Sequence, residues 1–226
     1  MHKMHKDRKA GDSPETDGAI LHKAAQYDFH TSLMGLGVNG TNSKMVIELA
    51  NIKPGDKVLD VGCGSGNLTL TAKSYAGPSG KVYGIDASPE MIEVAKKKAS
   101  RSGLNVIFDV DLIEKLAFPD ATFDVVISRL AIHHLPDDLK RTGFAEILRV
   151  LKPGGHLVIA DFTPPTNLVL NHIMSVLMGS HMMQTDVWSL PPMLTSAGFV
   201  DVTSGPTRSA FLAFVGGKKP GNQLPK

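Results

Sequence analysis

The sequence predicts an α/β domain: a mostly parallel sheet, helices on both faces, and an antiparallel pair of strands at the end. Three observations carry this. Apolar, β-branched runs alternate with helix-like stretches from Val58 onward, the first run ends in a glycine-rich turn into a helix, and the last two strand-like runs are consecutive.

Taken in order, "SKMVIELA" (43–50) reads as a helix closed by "NIKPGD", and "KVLDVG" (57–62) as the first strand, apolar enough to be buried. "NLTLTAKSYA" continues as helix, and "GPSG" (77–80) turns the chain into a second strand, "KVYGID" (81–86). Ser88 then has the position of an N-cap, Pro89 that of the first helical residue and Gly103 that of a stop, so "SPEMIEVAKKKASRSG" is a helix. "NVIFDV" (105–110), "FDVVISRL" (123–130) and "GHLVIADF" (155–162) add three strands, with the helix "DDLKRTGFAEILRVL" between the last two. "FVDVTSG" and "SAFLAFVGG" supply the closing pair, seven strands in all. Between them and the fifth strand, "TNLVLNHIMSVLMGSHMM" (166–183) reads as helix and "VWSLPPMLTSAGF" less regularly so.

Length and composition narrow the function classes. The 226 residues suit one α/β domain, expected over 18–217, with a charged, flexible arm at 1–17 and a short tail at 218–226. A net charge of +2 gives no nucleic-acid footprint, and no apolar run has the length of a membrane span. The single cysteine, Cys63, precludes an internal disulfide and a cysteine-rich metal site; His133 and His134 are adjacent rather than on one helical face, so no metal site is expected. A reducing, cytoplasmic location follows as the default.

"VLDVGCGSGNLTL" (58–70) carries the chemistry. Gly62, Gly64 and Gly66 let backbone N–H groups approach a ligand at a strand-to-helix turn. The spacing is neither the G-x-G-x-x-G of a dinucleotide site nor a P-loop, and no Tyr-x-x-x-Lys pair supports an oxidoreductase. Asp86 ends the second strand, where a carboxylate can accept both hydroxyls of a ribose. A tight turn and a helix cap would account for these residues separately; together they point to a nucleoside whose phosphate is not required.

Five segments, "VLDVGCGSGNLTL", "VYGIDASPEMIEVAKKKA", "LAFPDATFDVVISRLAIHHLPD", "EILRVLKPGGHLVIADF" and "LTSAGFVDV", resemble in order and spacing the class I S-adenosylmethionine-dependent methyltransferases, with their Rossmann-like fold. The branch they resemble contains ubiquinone/menaquinone C-methyltransferases and natural-product O-methyltransferases. The resemblance implies S-adenosyl-L-methionine as cofactor, with Asp60, Gly62 and Gly64 against its methionine part, Asp86 on the ribose, and Ala87 and Met91 flanking the adenine. The family's usual "GDAExLPF" reads "VDLIEKLAF" here, so Leu112 stands where an aspartate meets the adenine amino group and Asp111 one position earlier. Either the strand slips by one residue or a backbone group makes that contact; both residues are expected in the adenine pocket. Arg129 either approaches the cofactor carboxylate or forms an ion pair, and Tyr27 either closes over the cofactor, as an N-terminal segment does in relatives, or simply packs.

Methyl transfer is an in-line displacement, so the protein must hold donor and acceptor collinear and exclude water. The acceptor implied is a small molecule, methylated at an oxygen or an activated ring carbon of a quinol, phenol or natural product. Transfer to a lipid amine or thiol, or cofactor binding for regulation alone, are the alternatives. Where a base is needed, "IHHLPD" and "IADF" resemble stretches of sugar O-methyltransferases in which a histidine and an aspartate serve the acceptor hydroxyl; carried over, these are His133 and Asp161, with His134 in reserve. Met174, Met178 and Met182 recur every four residues, either as a core stripe or as an adaptable apolar lid within an acceptor-site insertion at 166–190, where Trp188 could add to the wall.

Overall fold

The computed structural model describes residues 16, 18, 40–164, 187–209 and 211–221. Its order of elements is α1 (Gly40–Ala50), β1 (Lys57–Val61), α2 (Asn67–Ala76), β2 (Lys81–Asp86), α3 (Pro89–Ser102), β3 (Ile107–Val110), β4 (Phe123–Arg129), α4 (Asp137–Val150), β5 (Leu151–Phe162), α5 (Leu190–Ala197), β6 (Val200–Pro206) and β7 (Leu212–Lys218). One-turn helices stand at Ile132–His134 and Val187–Ser189. The strands form one sheet in the order β3-β2-β1-β4-β5-β7-β6, parallel through β5, with β7 antiparallel to both β5 and β6. This is the seven-stranded, mostly parallel sheet the sequence predicts. Strand order reverses between β1 and β4, and the crevice at such a switch point is where open α/β sheets bind ligands.

The period of two along each strand explains why both faces are covered. From β1, Leu59 and Val61 enter a core with Phe144 and Ile147 of α4 and Leu190 and Leu194 of α5. Val58 enters the opposite core with Val46 and Ile47 of α1 and Leu68 and Ala72 of α2. The α3 helix is set as its sequence requires: Ser88 Oγ accepts from Met91 N at 3.2 Å, and Gly103 ends the helix at φ +67°.

One strand departs from expectation. β5 begins at Leu151, four residues before the predicted start, because Leu151 pairs with Phe123 and His156 with Val125. The segment 152–155 bulges opposite Asp124 alone, with Gly154 at φ +78°. "KPGG" reads as a turn by composition, and is spliced into the strand as a bulge. At the other end β7 runs to Lys218, and Lys219 donates from N to Gly155 O at 2.8 Å and from Nζ to Leu151 O at 2.8 Å, so the chain is tied down past the expected Gly217. Tyr27, Met174, Met178 and Met182 lie outside the described residues, as does most of the 166–190 insertion. Among the described residues no helix is long and apolar enough to cross a membrane.

Candidate functional site

At the carboxyl ends of β1, β2 and β4 a cleft of about 770 Å3, counting its open mouth, is lined by Gly62, Gly64, Asp86, Ala87, Met91, Asp111, Leu112 and His134, with Leu130 and Ile132. The loop at its floor holds three left-handed glycines, Gly62, Gly64 and Gly66 at φ +70°, +52° and +84°, the first two of which line the cleft. Their reasons differ. A Cβ on Gly62 would lie 2.3 Å from that of Ala131, and one on Gly66 2.8 Å from the Phe108 ring, so these two permit close packing. A Cβ on Gly64 would meet nothing within 4 Å and would intrude on the cradle itself.

Asp86 holds the loop in place. Its Oδ2 accepts from Gly64 N at 2.8 Å and its Oδ1 from Ser88 N at 2.9 Å. Burial pushes this carboxyl above its ordinary value although both backbone donors pull it down. Each oxygen retains a lone pair, which is what two ribose hydroxyls need.

Asp60 lies beneath the loop, only 1% exposed. Thr69 Oγ1 donates to its Oδ2 at 2.6 Å, while Oδ1 is buried without a hydrogen bond from the protein. Burial raises this carboxyl to about 7, against the pull of Thr69 and of the nearby Arg129 charge. An orphaned acidic oxygen under a glycine cradle, a carboxylate with spare lone pairs, and Met91 buried on the cleft wall fit an adenosyl-and-amino-acid cofactor. Neither Asp60 nor Arg129 itself lines the cleft.

Asp60 yields a testable sign. Its native value of about 7 exceeds the ordinary 3.8, so its contribution to stability is fully present below pH 3.8 and is lost as pH rises through about 7. Asp60→Asn mimics the protonated form and keeps an acceptor for Thr69. Without cofactor, the variant is expected to melt a few degrees higher than wild type above about pH 7, with the gain vanishing toward pH 3.8. Calorimetric melting across that range decides it; an unchanged difference at all pH values would remove the buried charge from the account.

After β4 the chain makes a costly turn. Leu130 takes φ +54°, a conformation worth about 1 kcal/mol against a non-glycine residue, and is held there by its N–H to Ala160 O at 3.0 Å. The turn feeds the helical turn Ile132–His134. Asp161, at the end of β5 and 2% exposed, accepts from His133 Nδ1 at 2.6 Å, from His133 N at 3.0 Å and from Phe162 N at 2.7 Å. Burial raises the Asp161 carboxyl, but the His133 charge and these hydrogen bonds outweigh it and leave the group below its ordinary value. His134 stacks on His133 with ring centroids 3.9 Å apart and planes tilted by 42°. His134 is the ring on the cleft wall, and burial first, then the His133 charge, lowers it to about 4, so it is neutral near pH 7.

The adenine end departs from a simple carry-over. Both Asp111 oxygens accept backbone donors of their own loop, Leu112 N at 3.0 Å and Ala117 N at 3.0 Å. Sequence reasoning also missed Thr16, which lies on the cleft wall inside the expected arm and donates from Oγ1 to Glu114 at 2.7 Å. No local pattern around "SPETDG" signals a contact across 98 residues.

A family of methyltransferase domains matches residues 52–197. A ubiquinone/menaquinone biosynthesis C-methyltransferase of Ectopseudomonas mendocina is 30% identical over 92% of this chain and 93% of its own length. Its counterpart in Saccharophagus degradans is 36% identical over 68% of this chain, an alignment spanning 61% of that protein. The crystal structure of a SAM-dependent methyltransferase from Aquifex aeolicus superposes with a TM-score of 0.65 at 24% identity, over 84% of this chain and 97% of that one, a likeness of fold.

Proposed function

The chain belongs to the class I S-adenosylmethionine-dependent methyltransferases, and from that premise we propose that it methylates a ring carbon of a small aromatic quinol. One observation carries the reading: the glycine loop and Asp86 on one side of the cleft meet, across the sheet's switch point, the β4 turn that bears His133 pinned to Asp161. The names of the two relatives supply the acceptor class.

S-adenosylmethionine supplies an electrophilic methyl group on a sulfonium, displaced in line. Asp86 would take the ribose hydroxyls, Ala87 and Met91 would flank the adenine, and the loop of Asp111 and Leu112 would meet its edge. Asp60, buried beneath the loop of Gly62 and Gly64, and Arg129 near it would set the charge behind the methionine part rather than line its pocket. The acceptor lies over the ends of β4 and β5. Asp161 fixes Nδ1–H of His133, so Nε2 takes the hydroxyl proton; the electron density released makes the adjacent ring carbon the nucleophile. The methyl group would pass to that carbon as its bond to sulfur breaks, the ring C–H proton would leave to solvent to restore aromaticity, and His133 would return its proton to the ring oxygen. His134, neutral, walls the methyl path from water. On this reading the chain works as a single methyltransferase domain in the cytoplasm.

The test is transfer of labelled methyl to a panel of quinols, phenols, sugars, thiols and lipid amines. The expected product is a quinol bearing the label on a ring carbon by NMR. Label confined to oxygen, sulfur or nitrogen overturns the acceptor assignment.

A further inference from the structure

The cofactor cleft carries carboxylates on its walls: Asp86, Asp111 and Glu114 line it, and among the described residues no lysine or arginine does. His134, the imidazole on the same wall, is lowered to about 4 and is neutral well above that. The hydrogen bonds that hold Asp86 and Glu114 come from neutral donors, Gly64 N and Ser88 N for the first and Thr16 Oγ1 at 2.7 Å for the second. Such donors orient a carboxylate without cancelling its charge. Behind the glycine loop the charge of Asp60 is opposed by that of the nearby Arg129, which leaves the wall carboxylates to set the sign of the cleft.

Glu114 is the wall carboxylate that no sequence motif singles out. It sits in a tight turn, with Lys115 N donating to Leu112 O at 3.2 Å. Ile113 beside it is 7% exposed and enters the main core, where a Cβ on Gly143 of α4 would come within 2.7 Å of its Cγ1. The anchored Ile113 holds Glu114 half-buried on the cleft wall, whereas Lys115 is exposed and off it.

S-adenosylmethionine and its product S-adenosylhomocysteine differ by a methyl group and by one positive charge on sulfur. Contacts to the ribose, the adenine and the amino acid are common to both and cancel in the ratio of their affinities; the field of the walls does not. Charges in a cleft walled by protein are screened less than in bulk water, so a carboxylate acts on the sulfonium without touching it. We propose that Asp86 and Glu114 make the cleft select its cofactor by charge, holding the sulfonium more tightly than the neutral thioether left after transfer, with Glu114 the specificity-determining residue. The proposal rests on the cofactor assignment above and is independent of the acceptor. Methyl transfer then removes the charge that the walls attract, which favours release of the product cofactor.

The full chain is titrated calorimetrically, at about pH 8 and low ionic strength, with S-adenosylmethionine, S-adenosylhomocysteine and sinefungin, which has a protonated amine on carbon in place of the methyl sulfonium. The two cations are expected to bind about tenfold tighter than the thioether, with the difference shrinking as salt is added. Glu114→Gln keeps an oxygen acceptor for Thr16 and removes the charge; it should lower the preference about threefold and leave the affinity for S-adenosylhomocysteine within about twofold of wild type. Thr16→Val removes the hydroxyl and keeps the charge, so the preference should persist. Equal affinity for all three ligands, or a Glu114→Gln variant that weakens cations and thioether alike, overturns the proposal, and the second result would leave Glu114 a structural role only. Absence of binding by all three would overturn the cofactor assignment as well, whereas methylation of a quinol with equal affinities would leave the proposed function standing.

Discussion

Asp86→Ala is expected to weaken binding of S-adenosylmethionine and S-adenosylhomocysteine by at least about 100-fold. Two contributions act together. The variant removes the carboxylate expected to accept both ribose hydroxyls, and hydrogen bonds to a charged group contribute about 1.5–3 kcal/mol each. It also strips Gly64 N and Ser88 N of their acceptor, so the left-handed glycine loop and the start of α3 lose the group that joins them. Asp86→Asn separates these contributions, since the amide oxygen can still take one backbone donor while the charge is gone. It should lie between wild type and alanine in affinity, with the melting temperature closer to wild type. Titration calorimetry with S-adenosylhomocysteine measures both; an affinity within about threefold of wild type in Asp86→Ala would place the ribose elsewhere.

That expectation rests on a feature legible without a structure, and the contrast with less legible ones is physical. Gly62, Gly64 and Asp86 announce themselves because residue type and local conformation coincide: glycine where φ must be positive, an acidic residue where a strand ends at the ligand edge. Ser88 and Gly103 are readable for the same reason, as caps whose geometry is local. The β5 bulge is not, because "KPGG" has turn composition and only the pairing of Leu151 with Phe123 draws it into the sheet. Asp111 sits in the expected pocket, but that its oxygens also accept from Leu112 N and Ala117 N is decided by the closure of a loop. Thr16 and Glu114 meet across 98 residues, which no window of periodicity spans. The adjacent histidines mark the limit most clearly: pattern alone brings both to the edge of the sheet, whereas the left-handed Leu130 turn decides that His133 is clasped by Asp161 and His134 lines the cleft.

The second large effect is expected at that clasp. Asp161→Ala leaves three buried donors, His133 Nδ1, His133 N and Phe162 N, without their acceptor, and should cost about 3–5 kcal/mol of stability with a loss of kcat of about 100-fold or more. The stability loss alone would not identify a chemical role, so the discriminating variant is His133→Gln, which removes the imidazole without orphaning the same backbone donors. It should retain S-adenosylhomocysteine affinity within about threefold and lose kcat by about 100-fold. His134→Gln should spare most of kcat, because a ring lowered to about 4 is a poor proton acceptor near pH 7. The two groups also part in acid. His134 is native-neutral, so its contribution to stability is lost as pH falls from 6.5 to about 4, whereas that of Asp161 is complete above pH 3.8 and disappears only as pH falls through its depressed native value. His134→Gln should therefore remove the first stage of acid destabilisation and keep the second. Should His133→Gln turn over at the wild-type rate while His134→Gln is inactive, the proton passes through the cleft-facing ring, and the Asp161 clasp is a scaffold for the Leu130 turn.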